Sequence, residues 1–314
     1  MNFLHRAVLS ATLAAPSILA AQSNDLGPLI LRLPASARAL AMGNVAVVGR
    51  DDDVLFYNPA QLVAARGMSV SMEQFSPTAH AGAISSVTRY GTGGIAIGAT
   101  LAEFDSPFGS YPTARLDLVQ GGPVVGSAAS VVVGVAQVFK STRIGGSAKF
   151  VEDRVGPTRN SGAVFDLGLG RDFFGYNFGL SVQNIGESFE PTSPPGSEFV
   201  GLRSRMPLRT TFGAAHGWNT DMFDITATGA VSTLRDGFVV PAGGGEISYS
   251  WLDGYTIVAR AGGRRPETGE GPFTAGLGFT MDRLSIDYAF ETLKTSIASN
   301  GGLRAAHRIG VRIR

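Results

Sequence analysis

Asp51-Asp52-Asp53 places three carboxylates in a row, the donor type a divalent cation would take. The run lacks the Gly and the distal Glu of a calcium loop, so it reads as a solvated or helix-capping turn, and no metal is expected there. Arg38 sits in the run Ala35-Ser36-Ala37-Arg38-Ala39-Leu40-Ala41. A guanidinium buried among residues this small must find a carboxylate or backbone carbonyls. The four histidines, His5, His80, His216 and His307, show no HExxH spacing and no signature of a Ser paired with a base. Cysteine is absent, which removes thiolate ligands and thiol nucleophiles. Gly243-Gly244-Gly245 and Gly91-Thr92-Gly93-Gly94 lack the Walker lysine and precede no helix, so they read as turn or bulge glycines. Arg264-Arg265 reads as a solvated loop pair. These residues point to no catalytic group, cofactor or metal, and hence to binding or conveyance instead of covalent chemistry.

The N-terminus carries one firm positive charge at Arg6 and then an apolar, small-residue stretch closing on Leu19-Ala20-Ala21. Residues 1–21 therefore read as a cleaved secretory leader, too short and too interrupted by Pro16 to span a membrane. Loss of the leader removes one base and no acid, leaving 25 acidic side chains matched by as many basic ones. A neutral chain has no general attraction for nucleic acid. No later run approaches the roughly 18 apolar residues of a spanning helix, but a spanning barrel stays open. Glycine, 42 of 314 residues, is nearly double its usual share of about 7%.

From Gly67 onward the apolar period is two. Tyr176, Phe178, Leu180 and Val182 alternate with Asn177, Gly179, Ser181 and Gln183. Phe273 to Asp282, Leu284 to Glu291 and Arg308 to Ile313 behave the same way. Weaker segments lie near 68–75, 84–90, 95–104, 115–121, 131–139, 144–152, 163–171, 208–215, 223–231, 246–252 and 255–261. Two architectures accept this pattern: a soluble exported β-sandwich that binds a partner, or a barrel whose greasy faces meet lipid. The minority faces are mostly Gly, Ser, Ala, Thr and Asn, which suits a lumen better than a free surface. A one-residue slip of the last strand would turn Arg308 and Arg312 toward lipid at roughly 2–4 kcal/mol each, so the register is well specified. Fourteen strands leave about 18 residues for each strand and its connection. Pro- and Gly-rich stretches at 105–112, 187–207 and 264–272 read as long outer loops.

The segment before the first strand contains Ala37-Arg38-Ala39-Leu40, Met42-Gly43, Asn44-Val45-Ala46, Asp51-Asp52-Asp53 and Asn58-Pro59-Ala60. In that combination it resembles the PorV/PorQ group of outer-membrane proteins, relatives of FadL-type channels for hydrophobic compounds. Lys149-Phe150, Phe165-Asp166-Leu167-Gly168, Val182-Gln183-Asn184-Ile185-Gly186, Met206-Pro207-Leu208, Asp287-Tyr288-Ala289-Phe290 and His307-Arg308-Ile309-Gly310 look similar too. The chain departs from outer-membrane barrels that finish on an aromatic residue, ending Ile313-Arg314.

The resemblance implies an all-β fold: a transmembrane antiparallel barrel of about fourteen strands in the bacterial outer membrane, with a short, partly helical N-terminal plug segment in its lumen. On this reading residues 1–21 are the leader, 22–66 the plug and 67–314 the barrel. Arg38, Met42, Gly43, Asp51, Asp52, Asn58, Pro59 and Ala60 mark the plug, and an acid facing the lumen, such as Asp166 or Asp287, is the expected partner of Arg38. Outer-membrane lipid is one expected partner. The others are secretion-machinery proteins or secreted cargo, as in type IX secretion, or else apolar small molecules crossing through a lumen pocket walled by residues such as Val132, Gly134, Ala136 and Val138.

Overall fold

The computed structural model describes residues 27–76, 79–106, 124–155, 158–192, 205–267, 270–293 and 305–314. The leader expected at residues 1–21 and the segment near 115–121 lie outside them, as does most of the expected loop at 105–112.

Period-two sequence becomes fourteen strands: β1 (Gly67–Ser76), β2 (Ala79–Tyr90), β3 (Gly93–Ser106), β4 (Val124–Phe139), β5 (Thr142–Val155), β6 (Thr158–Phe173) and β7 (Tyr176–Ile185). The second half comprises β8 (Arg209–Asn219), β9 (Phe223–Leu234), β10 (Val239–Leu252), β11 (Tyr255–Arg264), β12 (Glu270–Met281), β13 (Leu284–Leu293) and β14 (Ala305–Ile313). Each pairs antiparallel with its neighbours in sequence, and β1 closes on β14, with Met68 opposite Ile313 and Gln74 opposite His307. Closure leaves no unpaired edge, which a sheet in hydrocarbon requires. It also rules out the β-sandwich.

The alternation is inside out. Met72, Ile97, Val133, Phe165 and Leu167 stand exposed on the outer face, while Ser71, Glu73, Ser85, Lys149, Asp166 and Arg308 are buried within. A soluble domain buries its greasy face; this one presents it to lipid. One end of the barrel has connections of two or three residues, at 91–92, 140–141, 174–175, 220–222, 253–254 and 282–283. Lys140-Ser141 and Phe174-Gly175 both carry positive φ, which matches the twist of paired strands in a two-residue hairpin. Phe139, Phe173, Phe174, Tyr176, Trp218 and Trp251 are exposed near that end, as in an aromatic girdle. Strand ends joined through longer stretches of sequence, such as Ile185 and Arg209, lie at the other.

Residues 27–66 form the plug. They contain a 3-10 turn at Leu29–Leu31, a helix α1 (Ala37–Ala41), and further 3-10 turns at Asp52–Phe56 and Pro59–Val63. Leu55 and Leu62 pack with Val87, Ala96, Val132 and Ala136. The proposed apolar pocket at Val132, Gly134, Ala136 and Val138 is thus not open: the first three meet the plug and Val138 is exposed.

Glycine gives the plug its fit. A Cβ on Gly134 would lie 2.6 Å from Leu55 Cδ1, one on Gly244 2.7 Å from Met42 Cα, and one on Gly145 2.5 Å from Ala60 N. The Gly243-Gly244-Gly245 run is therefore neither turn nor bulge. It lies inside β10, where Gly244 lets the plug backbone touch the wall. Gly145→Val is expected to destabilise the folded barrel by about 1–3 kcal/mol through overpacking against plug backbone; a urea midpoint equal to that of the parent would refute the contact.

Candidate functional site

Local chemistry explains how the plug turns. Ser36 precedes α1, and its Oγ accepts from Ala39 N at 3.0 Å and donates to Asp53 Oδ2 at 2.5 Å. Gly43 and Asn44 then reverse the chain at φ 71° and 61°. Asn58 caps the last 3-10 turn, its Oδ1 accepting from Ala60 N at 3.1 Å, with Pro59 at the first position, where a missing N–H costs nothing. The Asn58 amide donates to Val47 O (2.8 Å) and to Leu169 O on β6 (3.1 Å). Asn58-Pro59-Ala60 is therefore a helix start that ties two plug segments to the wall, and the wall itself begins later, at Gly67.

The Asp triplet is neither solvated nor capping. Asp51, Asp52 and Asp53 are 3%, 0% and 4% exposed, and Asp51 makes no side-chain cap bond. Asp51 meets Arg38 (3.2 Å), Arg312 (3.2 Å) and Arg314 (2.6 Å). Asp52 meets Arg312 Nε at 2.9 Å and accepts from Ser85 Oγ at 2.5 Å and from Ser69 Oγ. Ser69 is on β1, Ser85 on β2 and Arg312 on β14, so one buried carboxylate bridges the seam that closes the barrel.

Arg38 pairs with Glu246 (3.0 Å) and Asp51, and not with Asp166 or Asp287. The reason is position: α1 turns Arg38 toward β10, while the two expected acids are occupied. Asp166 holds Lys149 at 2.7 Å and accepts from Asn184 N at 2.8 Å, and Asp287 holds Arg260 at 2.5 Å. Arg260 also reaches Glu246 at 2.5 Å, completing a network across β10, β11, β13 and β14. Sequence reasoning missed Glu246, Arg260, Arg312 and Arg314. A signal existed for Arg312, since the register of the last strand already turned it inward. Arg264, expected in solvent, is buried against Glu291 at 2.5 Å, and Arg265 stacks on Phe238.

Among the described residues the network joins four acids (Asp51, Asp52, Glu246, Asp287) to four arginines (Arg38, Arg260, Arg312, Arg314), and Asp53 borders it, accepting from Ser36 Oγ. Asp51 and Asp53, two of the three acids of the plug triplet, respond in opposite ways. Burial alone would raise Asp51, but Arg312, Arg38 and Arg314 hold it well below the usual carboxylate range. Burial pushes Asp53 up to about 6; Arg312 opposes this, and Asp51 and Asp52 reinforce it. The unfolded chain releases the Asp53 proton near its ordinary 3.8 and the folded chain near 6, so this acid weakens the fold increasingly between those values. Asp51 acts oppositely: its contribution is present above about pH 4 and is lost as pH falls below. Asp51→Asn is expected to cost roughly 3–5 kcal/mol at pH 7 by stranding buried arginines. Asp53→Asn should be neutral or stabilising there and flatten the stability profile between about pH 4 and 6. Urea midpoints across pH test both, and equal losses in the two variants would refute the assignment.

No family model and no curated relative matches the sequence. Solved structures do. The toluene transporter TbuX of Ralstonia pickettii superposes with a TM-score of 0.57 at 14% identity, over 91% of this chain and 100% of that one. The toluene transporter TodX of Pseudomonas putida gives 0.55 at 12%, over 90% and 97%. A FadL homologue of Pseudomonas aeruginosa gives 0.54 at 10%, over 89% and 98%. Identities this low show a likeness of fold and nothing beyond it: a closed, fourteen-stranded antiparallel barrel.

Proposed function

We propose that this protein is an outer-membrane channel that conveys small apolar molecules past its internal plug. It is exported by a leader at residues 1–21, with residues 22–66 as plug and 67–314 as barrel. One observation carries the reading: a lipid-facing closed barrel whose lumen is occupied by a short segment of the same chain, with a cavity on either side of that segment. The toluene transporters of the same fold support it. The cavity on the long-connection side measures about 60 Å³, well under the roughly 150 Å³ of an engineered apolar cavity that takes benzene. On this reading a solute of monoaromatic size passes that cavity only if the plug moves.

A second reading, a partner for secreted cargo or secretion machinery, rests on the PorV/PorQ resemblance of Arg38, Met42, Gly43, Asp51, Asp52, Asn58, Pro59 and Ala60 alone. Uptake of labelled toluene at limiting concentration by cells with and without the protein separates the two. Several-fold faster uptake with the protein is the expected result. Equal uptake, together with loss of exported proteins from the cell surface on deletion, would replace the channel by the secretion role.

A further inference from the structure

The two cavities meet the plug on opposite sides of one short stretch. Val45 and Ala46 line both the cavity of about 60 Å³ on the long-connection side and the cavity of about 540 Å³ on the short-turn side. The stretch is a strap bounded by Gly43 and Gly49, with no helix or strand between them. The helical turns of the plug pack against β11–β14 and β1–β6. The strap faces β8–β10, where the inward residues are small: Gly213, Ala230 and Ala242 in one register row, Ala215, Thr228 and Gly244 in the next.

Three side-chain amides hold the strap by its carbonyls. Asn58 and Gln61, both in the plug, donate to Val47 O at 2.8 and 3.3 Å. Asn177, on β7, donates to Val48 O at 2.9 Å while its Oδ1 accepts from Arg143 Nη2 at 2.7 Å. The first two bonds tie the strap to the rest of the plug and the Asn177 bond ties it to the wall, so swinging the strap breaks all three.

We propose that the strap Asn44–Val48 is the gate between the two cavities and that Asn177 is its wall-side latch. Swinging it about Gly43 and Gly49 joins the cavities along β8–β10 while the buried ion network keeps the rest of the plug in place. The inference builds on the channel reading for the class of solute, but the gate itself concerns any small solute.

Asn177→Asp keeps the acceptor for Arg143 and turns the donor to Val48 O into a carboxylate oxygen that repels it, and Asn177→Ala, which adds no charge, serves as the second variant. Val47→Cys with Gly213→Cys supplies a reversible lock: a Cβ at Gly213 would lie 2.5 Å from Val47 Cγ1, and the chain has no other cysteine. Potassium chloride conductance in planar bilayers and toluene transfer are both measured, with folding checked by the mobility difference between boiled and unboiled samples. Expected are a several-fold higher conductance for Asn177→Asp and Asn177→Ala, suppression in the oxidised double-cysteine protein, and recovery on reduction. Conductance unchanged in both Asn177 variants and equal in oxidised and reduced lock overturns the gate, as does a folded double-cysteine barrel that never cross-links. Conductance that follows the lock while toluene transfer does not upholds the gate and removes the apolar-solute reading.

Discussion

A carboxylate with no access to water must meet a cation or give up its charge, and Asp52 meets its cation across the seam where the barrel closes. Arg312 comes from the last strand, while Ser69 and Ser85 come from the first two. Nearby, Arg308 on β14 bonds Glu73 on β1 at 2.9 Å and also donates to Pro34 O in the plug. Closing the wall and seating the plug are therefore coupled: Arg308 and Glu73 pair within the wall, but Asp52 finds its cation and its two serines only where β14, β1 and β2 come together. Ion pairs this buried gain little over well-packed apolar residues, but breaking one strands its partner. They fix where the plug sits more than they add stability.

Glycine resolves the opposite problem, that of bringing two backbones together. The chain lacks disulfides, and its outer apolar surface is spent on lipid, so internal cohesion has to come from contact between plug and wall. Side chains on Gly134, Gly145, Gly244 or Gly276 would each fall within 2.7 Å of plug atoms. The high glycine content is thus partly a record of where the plug touches, and only partly one of turns.

The barrel was legible because membrane strands must alternate, and fourteen of them survive as read, with Arg308 and Arg312 turned inward. The plug was legible as a segment, since its small residues and Asn58-Pro59 suit no strand. Its partners were not. Nothing local to Arg38 distinguishes Glu246 from Asp166 or Asp287; the choice depends on which wall α1 faces. The Asp triplet misled for a related reason. Consecutive acids usually meet water, and only the closing seam, which joins residues more than two hundred positions apart, supplies the arginines that bury them. Gly244 was similarly opaque, because a glycine within a strand and one at a turn look alike in sequence.

The anchors are unevenly spread around the lumen, and that asymmetry bears on how a filled barrel could pass anything. Displacing the whole plug would separate Asp51 and Asp52 from Arg312 and undo every glycine-lined contact between plug and wall at once. A transition that large is hard to reconcile with repeated opening. The stretch from Gly43 to Gly49 carries no ion pair among the described residues, and amide hydrogen bonds contribute only about 0.5–1.5 kcal/mol each. Motion concentrated there leaves the seam closed and the charges matched. Under the proposed channel function, the network that anchors the charged part of the plug leaves opening to its uncharged segment, opposite a wall of glycine, alanine and threonine.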